Sequence, residues 1–124
     1  MSDKLVKNIL KNGGGTFSSV TFHEVFPDDR GGFWVGAVEG SALIITADRV
    51  ADLSDLTLTS LFQGIAARHK VSNVGAWVDE FGDIHLDPSI WVADRDEAIR
   101  LGYKNKQRSI WDIAAGEAIS LEVN

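Results

Sequence analysis

The stretch NVGAWVDEFGDIHLDPSIWVA, residues 73–93, decides the fold. It holds two β-rich runs, Asn73 to Asp79 and Asp83 to Ala93, around Glu80-Phe81-Gly82, where Gly82 suits the positive φ of a tight connection. The pattern predicts an antiparallel hairpin. Side chains alternate faces along a strand, so Ile84, Leu86, Ile90 and Val92 share one side, while Asp83, His85, Asp87, Ser89 and Trp91 share the other. In the partner run Val74, Ala76 and Val78 match the apolar side, which sends Trp77 to the side of His85 and Trp91. Trp34 alternates with Phe33 and Val35, and Trp111 with Ile110, so both are expected on that second side too.

C-terminal to the hairpin, Asp94-Arg95-Asp96-Glu97 has the spacing of a capping box and predicts a helix through Tyr103, with Glu97 bonding back to its start. Ile110–Ile113 and Ala118–Val123 then make a last hairpin around 114–117. N-terminal to it, Asp52 to Lys70 places Leu58, Leu61, Phe62, Ile65 and His69 on one helical face, with Ser54 or Thr57 as cap. Phe33–Val38 and Ala42–Thr46 predict two strands of a meander joined at Glu39-Gly40-Ser41. Thr16 to Val25 reads as one strand, and Pro27 to Gly32 as a turn. Residues 3–11 predict a first helix bearing Leu5, Ile9 and Leu10, capped by Ser2 and ended by Asn12-Gly13-Gly14-Gly15. Those glycines stop a helix; a phosphate cradle needs them between a strand and a following helix. The order predicts one α+β domain over residues 1–124: a mainly antiparallel sheet of hairpins with about three helices packed on it.

Composition narrows the function. The 124 residues carry a net charge of −6 and no cysteine, with 44% hydrophobic and 24% charged residues. Such a chain folds without disulfides or thiolate metal sites, and a cytoplasmic setting is expected. Lysines interrupt the apolar runs of the first twelve residues, so they read as mature structure rather than a signal peptide. No apolar run is long enough to span a bilayer, and the anionic balance opposes both membrane surfaces and nucleic acid. The basic cluster Arg100, Lys104, Lys106 and Arg108 reads as a helix end.

Gly75-Ala76-Trp77-Val78-Asp79, Leu86-Asp87, Asp94-Arg95-Asp96-Glu97-Ala98-Ile99, Gln107, Ile110-Trp111-Asp112 and Gly116-Glu117 carry a resemblance. Through them the C-terminal half resembles a family of small proteins of actinobacterial tailed phages and related mobile elements. The resemblance implies a phage-type accessory or counter-defence origin, with the host cytoplasm as its place of action. It implies no chemistry.

A sheet face bearing tryptophans needs a cover, since monomers rarely leave extended apolar patches in water. Helices divided between both faces would cover it structurally; otherwise it is a contact surface, where aromatic residues concentrate binding energy. A homodimer is the simplest such cover. Asp83, His85 and Asp87, roughly 7 Å apart along one strand, suggest a carboxylate–imidazole metal cluster, although alternating polar residues are more often a solvated face. The acidic run Asp79, Glu80, Asp83, Asp87, Asp94, Asp96 and Glu97 usually reads as a solvated edge, the alternative being a surface that attracts a basic partner. Ser18, Ser19, Ser41, Ser54 and Ser89 lack a nucleophile-elbow setting. His23 and Glu24, adjacent in a strand, point apart, and His69 reads as structural. No nucleotide fingerprint or cofactor motif is present. The expectation is a non-enzymatic protein-binding module, an inhibitor of a host or defence system, acting through Trp77, Trp91, Asp83, His85, Asp87, Trp34 and Trp111. The alternative is a small metal-dependent enzyme or ligand-binding protein using Asp83, His85 and Asp87.

Overall fold

A computed structural model describes residues 4–25 and 31–121. The expected Ser2 cap, most of the Pro27–Gly32 turn and the Glu122–Val123 strand end lie outside them. The described chain is α+β. Helix α1 (Lys4–Asn12) leads into strand β1 (Gly14–Ser18), followed by β2 (Phe33–Gly36), β3 (Leu43–Ile45), the single-turn α2 (Ala47–Val50) and α3 (Asp55–His69). The hairpin β4 (Asn73–Val78) and β5 (Ile84–Val92), helix α4 (Arg95–Lys104) and the hairpin β6 (Ser109–Asp112) and β7 (Glu117–Ser120) complete it. The sheet order is β1-β4-β5-β2-β6-β7, with β3 also on β5, and every pairing is antiparallel.

β5 organises the sheet. One of its edges carries β4 over Ile84–Ser89, and the other carries β3 over Ile84–Leu86 and then β2 over Ser89–Val92. The expected β2–β3 meander is therefore absent: the two strands run in the same direction along one edge of β5, as a single strand interrupted by a bulge at 38–41. Pro88 supplies the reason. Its carbonyl accepts from Ala37 N–H at 2.9 Å, and a strand residue presents its N–H and C=O to the same edge. The proline therefore leaves that edge without a donor, and the neighbouring strand departs until Ala42 N–H reaches the Leu86 carbonyl at 3.0 Å.

A second correction concerns Thr16–Val25. Strand β1 ends at Ser18; the chain turns through Ser19–Thr21, Phe22 takes φ 62°, and residues 23–25 return along β1, with Ser18 N–H on the His23 carbonyl at 3.0 Å and Val25 N–H on Thr16 at 2.7 Å. The final hairpin begins one residue earlier than expected, pairing Trp111 with Ala118.

The helices form where their caps allow. Ser54 Oγ accepts Thr57 N–H at 3.1 Å to start α3, and Lys70 ends it with φ 56°. Asp94 Oδ2 accepts Glu97 N–H at 2.9 Å to start α4, but Glu97 pairs with Arg100 one turn on, so only half of the expected capping box forms. The Asp55 carboxylate accepts Leu5 N–H and Val6 N–H, both at 3.0 Å, and so caps α1 from a different helix.

Two apolar clusters lie beneath one face. Val6 and Ile9 of α1 and Leu58, Phe62, Ile65 and Ala66 of α3 meet Phe17, Val74, Ala76, Ile84 and Leu86, with the Phe17 and Phe62 rings 5.6 Å apart. Ala98 of α4 meets Phe33, Val35, Ile110 and Leu121. By strand alternation all of these sheet residues face one way, so α1, α3 and α4 stand on the same side. Helices divided between both faces are not what the chain builds, and the opposite face has no helix on it among the described residues.

Candidate functional site

The helix-free face carries two aromatic ridges. At one end Ile44, His85 and Trp77 stand level on β3, β5 and β4; at the other, Trp91, Trp34 and Trp111 stand level on β5, β2 and β6. The ridges stand at His85 and Trp91 of β5, about 20 Å apart at a strand's rise. Between them the sheet lacks bulk, because Gly75 and Gly36 occupy same-face positions on β4 and β2, and on β1 Gly14 stands level with Trp77 without a side chain. A Cβ on Gly14 would overlap the Ala76 carbonyl, one on Gly75 would lie 2.9 Å from Ser89 Oγ, and one on Gly36 would overlap the Gln107 amide. The result is a hollow of about 670 Å³, floored by these glycines with Asp87 and Ser89, and walled by Trp34, Trp77, Trp111 and Gln107. Gln107 is held there by bonds from its amide to the Val38 and Asn105 carbonyls.

Asp87 is the charged group of the floor. Trp77 Nε1–H donates to its Oδ2 at 3.3 Å, while Oδ1 is buried without a donor; the nearby Ala42 N–H is committed to the Leu86 carbonyl. Burial pushes the Asp87 carboxyl above the usual carboxylate range, and the Trp77 indole N–H, then the nearby Ala42 N–H and the His85 ring, offset part of that rise. Glu24, whose carboxylate lies beside Gly15, is also raised by burial.

The rest of the polar face is tied into the scaffold. Asp79 Oδ2 stands 2.8 Å from His85 Nε2, and Ser41 Oγ stands 2.8 Å from His85 Nδ1. Since an ionised carboxylate only accepts, Nε2 carries the hydrogen, and Nδ1 accepts from the Ser41 hydroxyl. Asp79 Oδ1 also accepts Phe81 N–H and Asp83 N–H at 2.9 and 3.0 Å. Its carboxyl is lowered chiefly by the His85 bond, with those backbone N–H groups adding to the effect against the opposing influence of burial. Trp77 stacks on the His85 ring, centroids 3.8 Å apart and 11° from parallel. The proton order is that of a nucleophilic serine relay. None of Ser41, His85 and Asp79 lines the hollow, however, and the relay joins the 38–41 bulge and the hairpin turn to β5.

All four tryptophans therefore lie on the expected face, but they divide. Trp34, Trp77, Trp111 and Asp87 line the hollow. Trp91 instead packs against Gly32 and donates from Nε1 to the Gly31 carbonyl at 2.9 Å. Asp83 is turned away to accept Ala47 N–H at 2.8 Å at the start of α2. Asp83, His85 and Asp87 thus have separate partners, and among the described residues no three His, Cys, Asp or Glu side chains gather as metal ligands. Reading the sequence set Ser41 aside for want of a nucleophile-elbow setting, and missed Gln107 and the glycine floor as parts of a site. The signal for the floor was present, because an isolated glycine inside a strand pattern marks a close approach.

No family model matches this chain, and neither a curated protein nor a solved structure matches it. Among the described residues no helix is long and apolar enough to cross a membrane.

Proposed function

We propose that the chain is a non-enzymatic protein-binding module whose working surface is the helix-free face of the sheet. One observation carries this reading: every long helix packs on the other face, leaving Trp77 and Trp111 46% and 45% exposed at the walls of a hollow. Half-exposed indoles around a depression are the usual composition of a binding hot spot. The resemblance to phage proteins supports, by association, an accessory role in a host cytoplasm, as an inhibitor of a host or defence system. The test compares capture from a host lysate by the wild type, by Trp77→Ala with Trp111→Ala, and by Leu56→Ala, which alters a 78% exposed residue of α3. The partner held by wild type and by Leu56→Ala should be lost from the double variant. Retention by the double variant would move the surface elsewhere.

A second reading, acyl transfer through Ser41, is favoured by the Ser41–His85–Asp79 relay. It stands second because the relay lies outside the hollow. A fluorophosphonate probe separates the two readings: labelling of Ser41 that disappears in His85→Ala supports the enzyme, and an unlabelled Ser41 removes it.

A further inference from the structure

Resting on the binding-face reading, we propose that the hollow seats one cationic side chain of the partner, an arginine or a lysine, against Asp87 and beside the indole of Trp77. The lining contains two carboxylates, Glu24 and Asp87, and neither a lysine nor an arginine, in a chain whose net charge is −6. The described ion pairs engage Asp79, Glu97 and Glu39, and none of them reaches Asp87.

Hydrogen bonding points the same way. A carboxylate accepts several donors, yet the Asp87 side chain receives a long 3.3 Å contact from a neutral indole at Oδ2 and none at Oδ1. A guanidinium offers a planar fork of N–H donors, and an ammonium three, both carrying the charge a buried carboxylate lacks. Entry of either would displace the Trp77 indole from Oδ2, since a 3.3 Å bond from a neutral donor is weaker than a charge-assisted one. The walls suit the rest of the side chain: an indole face attracts a cation, and the methylene stem packs on the glycine backbone of Gly75 and Gly36.

The competing occupants fit less well. An anion would meet two carboxylates, and an apolar side chain would seal Asp87 further from water with nothing in exchange. A second copy would bring the same acidic patch against itself across a two-fold axis.

The test uses small probes on the whole chain. N-acetyl-arginine-N-methylamide and its neutral isostere N-acetyl-citrulline-N-methylamide are titrated while the indole N–H resonances of the four tryptophans are followed by NMR. The arginine probe should shift Trp77 saturably and leave Trp91 nearly still. The citrulline probe should bind about tenfold or more weakly, and Asp87→Asn should weaken the arginine probe by a similar factor, the usual loss of a charge-assisted bond. Trp77→Leu, which keeps Asp87 and removes one wall, should weaken it as well. Equal binding of both probes would overturn the cationic assignment and leave the binding face standing. Unchanged arginine binding in Asp87→Asn, or no shift of any hollow indole, would overturn the proposal itself. Loss of the binding-face reading would instead show in the lysate comparison, as retention of the partner by the double tryptophan variant.

Discussion

Among single residues, Asp87 and Asp79 make opposite demands on pH. Burial raises the Asp87 carboxyl, so the folded chain holds that proton more tightly than the unfolded one. Its ionisation therefore works against folding as pH rises from the unfolded value, about 3.9, through the raised folded value. Asp79 is lowered, chiefly by its bond to His85. Its contribution is fully present above about pH 3.9 and is lost as pH falls through the folded value. Asp87→Asn keeps the shape and removes the charge; at pH 7 it should stabilise the fold, a gain that shrinks toward pH 3.5. Asp79→Asn should lower the melting temperature at pH 7 and matter less in acid. Paired thermal melts across that range check both signs, and a stabilised Asp79→Asn would contradict the relay geometry.

At the level of elements, α1 depends on a residue fifty positions away. Asp55→Ala leaves Leu5 N–H and Val6 N–H without their acceptor and should cost about 1 kcal/mol, as the loss of a helix cap does. Hydrogen exchange should quicken first in α1, with β5 unaffected; uniform quickening would contradict a local cap. This tie also marks the limit of what the sequence discloses. The face of each β5 residue was legible because alternation is a local property, which is why Ile84 and Leu86 were found beneath the helices and Trp77 opposite them. Edge partners were not legible. The runs 33–38 and 42–46 fit one another as well as they fit β5, and a missing N–H at Pro88 decided between those pairings. The walls of the hollow were legible as tryptophans. Its floor was signalled only by the strand glycines Gly36 and Gly75, and the hollow they make depends on strand neighbours that alternation does not fix.

For the whole molecule, β5 reaches both apolar clusters, one under α1 and α3 and the other under α4. The acidic helix-free face should disfavour pairing with its own copy and favour a basic partner. Sedimentation at neutral pH should therefore show a monomer. Association with the captured partner should slow as salt rises, since exposed charges are screened over about 8 Å at physiological ionic strength. A dimer dispersed by Trp111→Ala, or a rate indifferent to salt, would reverse that view.

The bulge at 38–41 has one practical consequence. Its residues have already left the ladder, Gly40 sits at φ 68°, and nothing lies within 4 Å of where its Cβ would be. Lengthening a loop whose ends stay fixed adds only a slowly growing entropy cost. A short epitope or a fluorophore-bearing peptide spliced after Gly40 would thus sit in the middle of the sheet's primary sequence without breaking a rung, with Ser41 still anchored to His85 at its base. This internal insertion point beside the proposed contact surface exists because a proline on the neighbouring strand withholds its N–H.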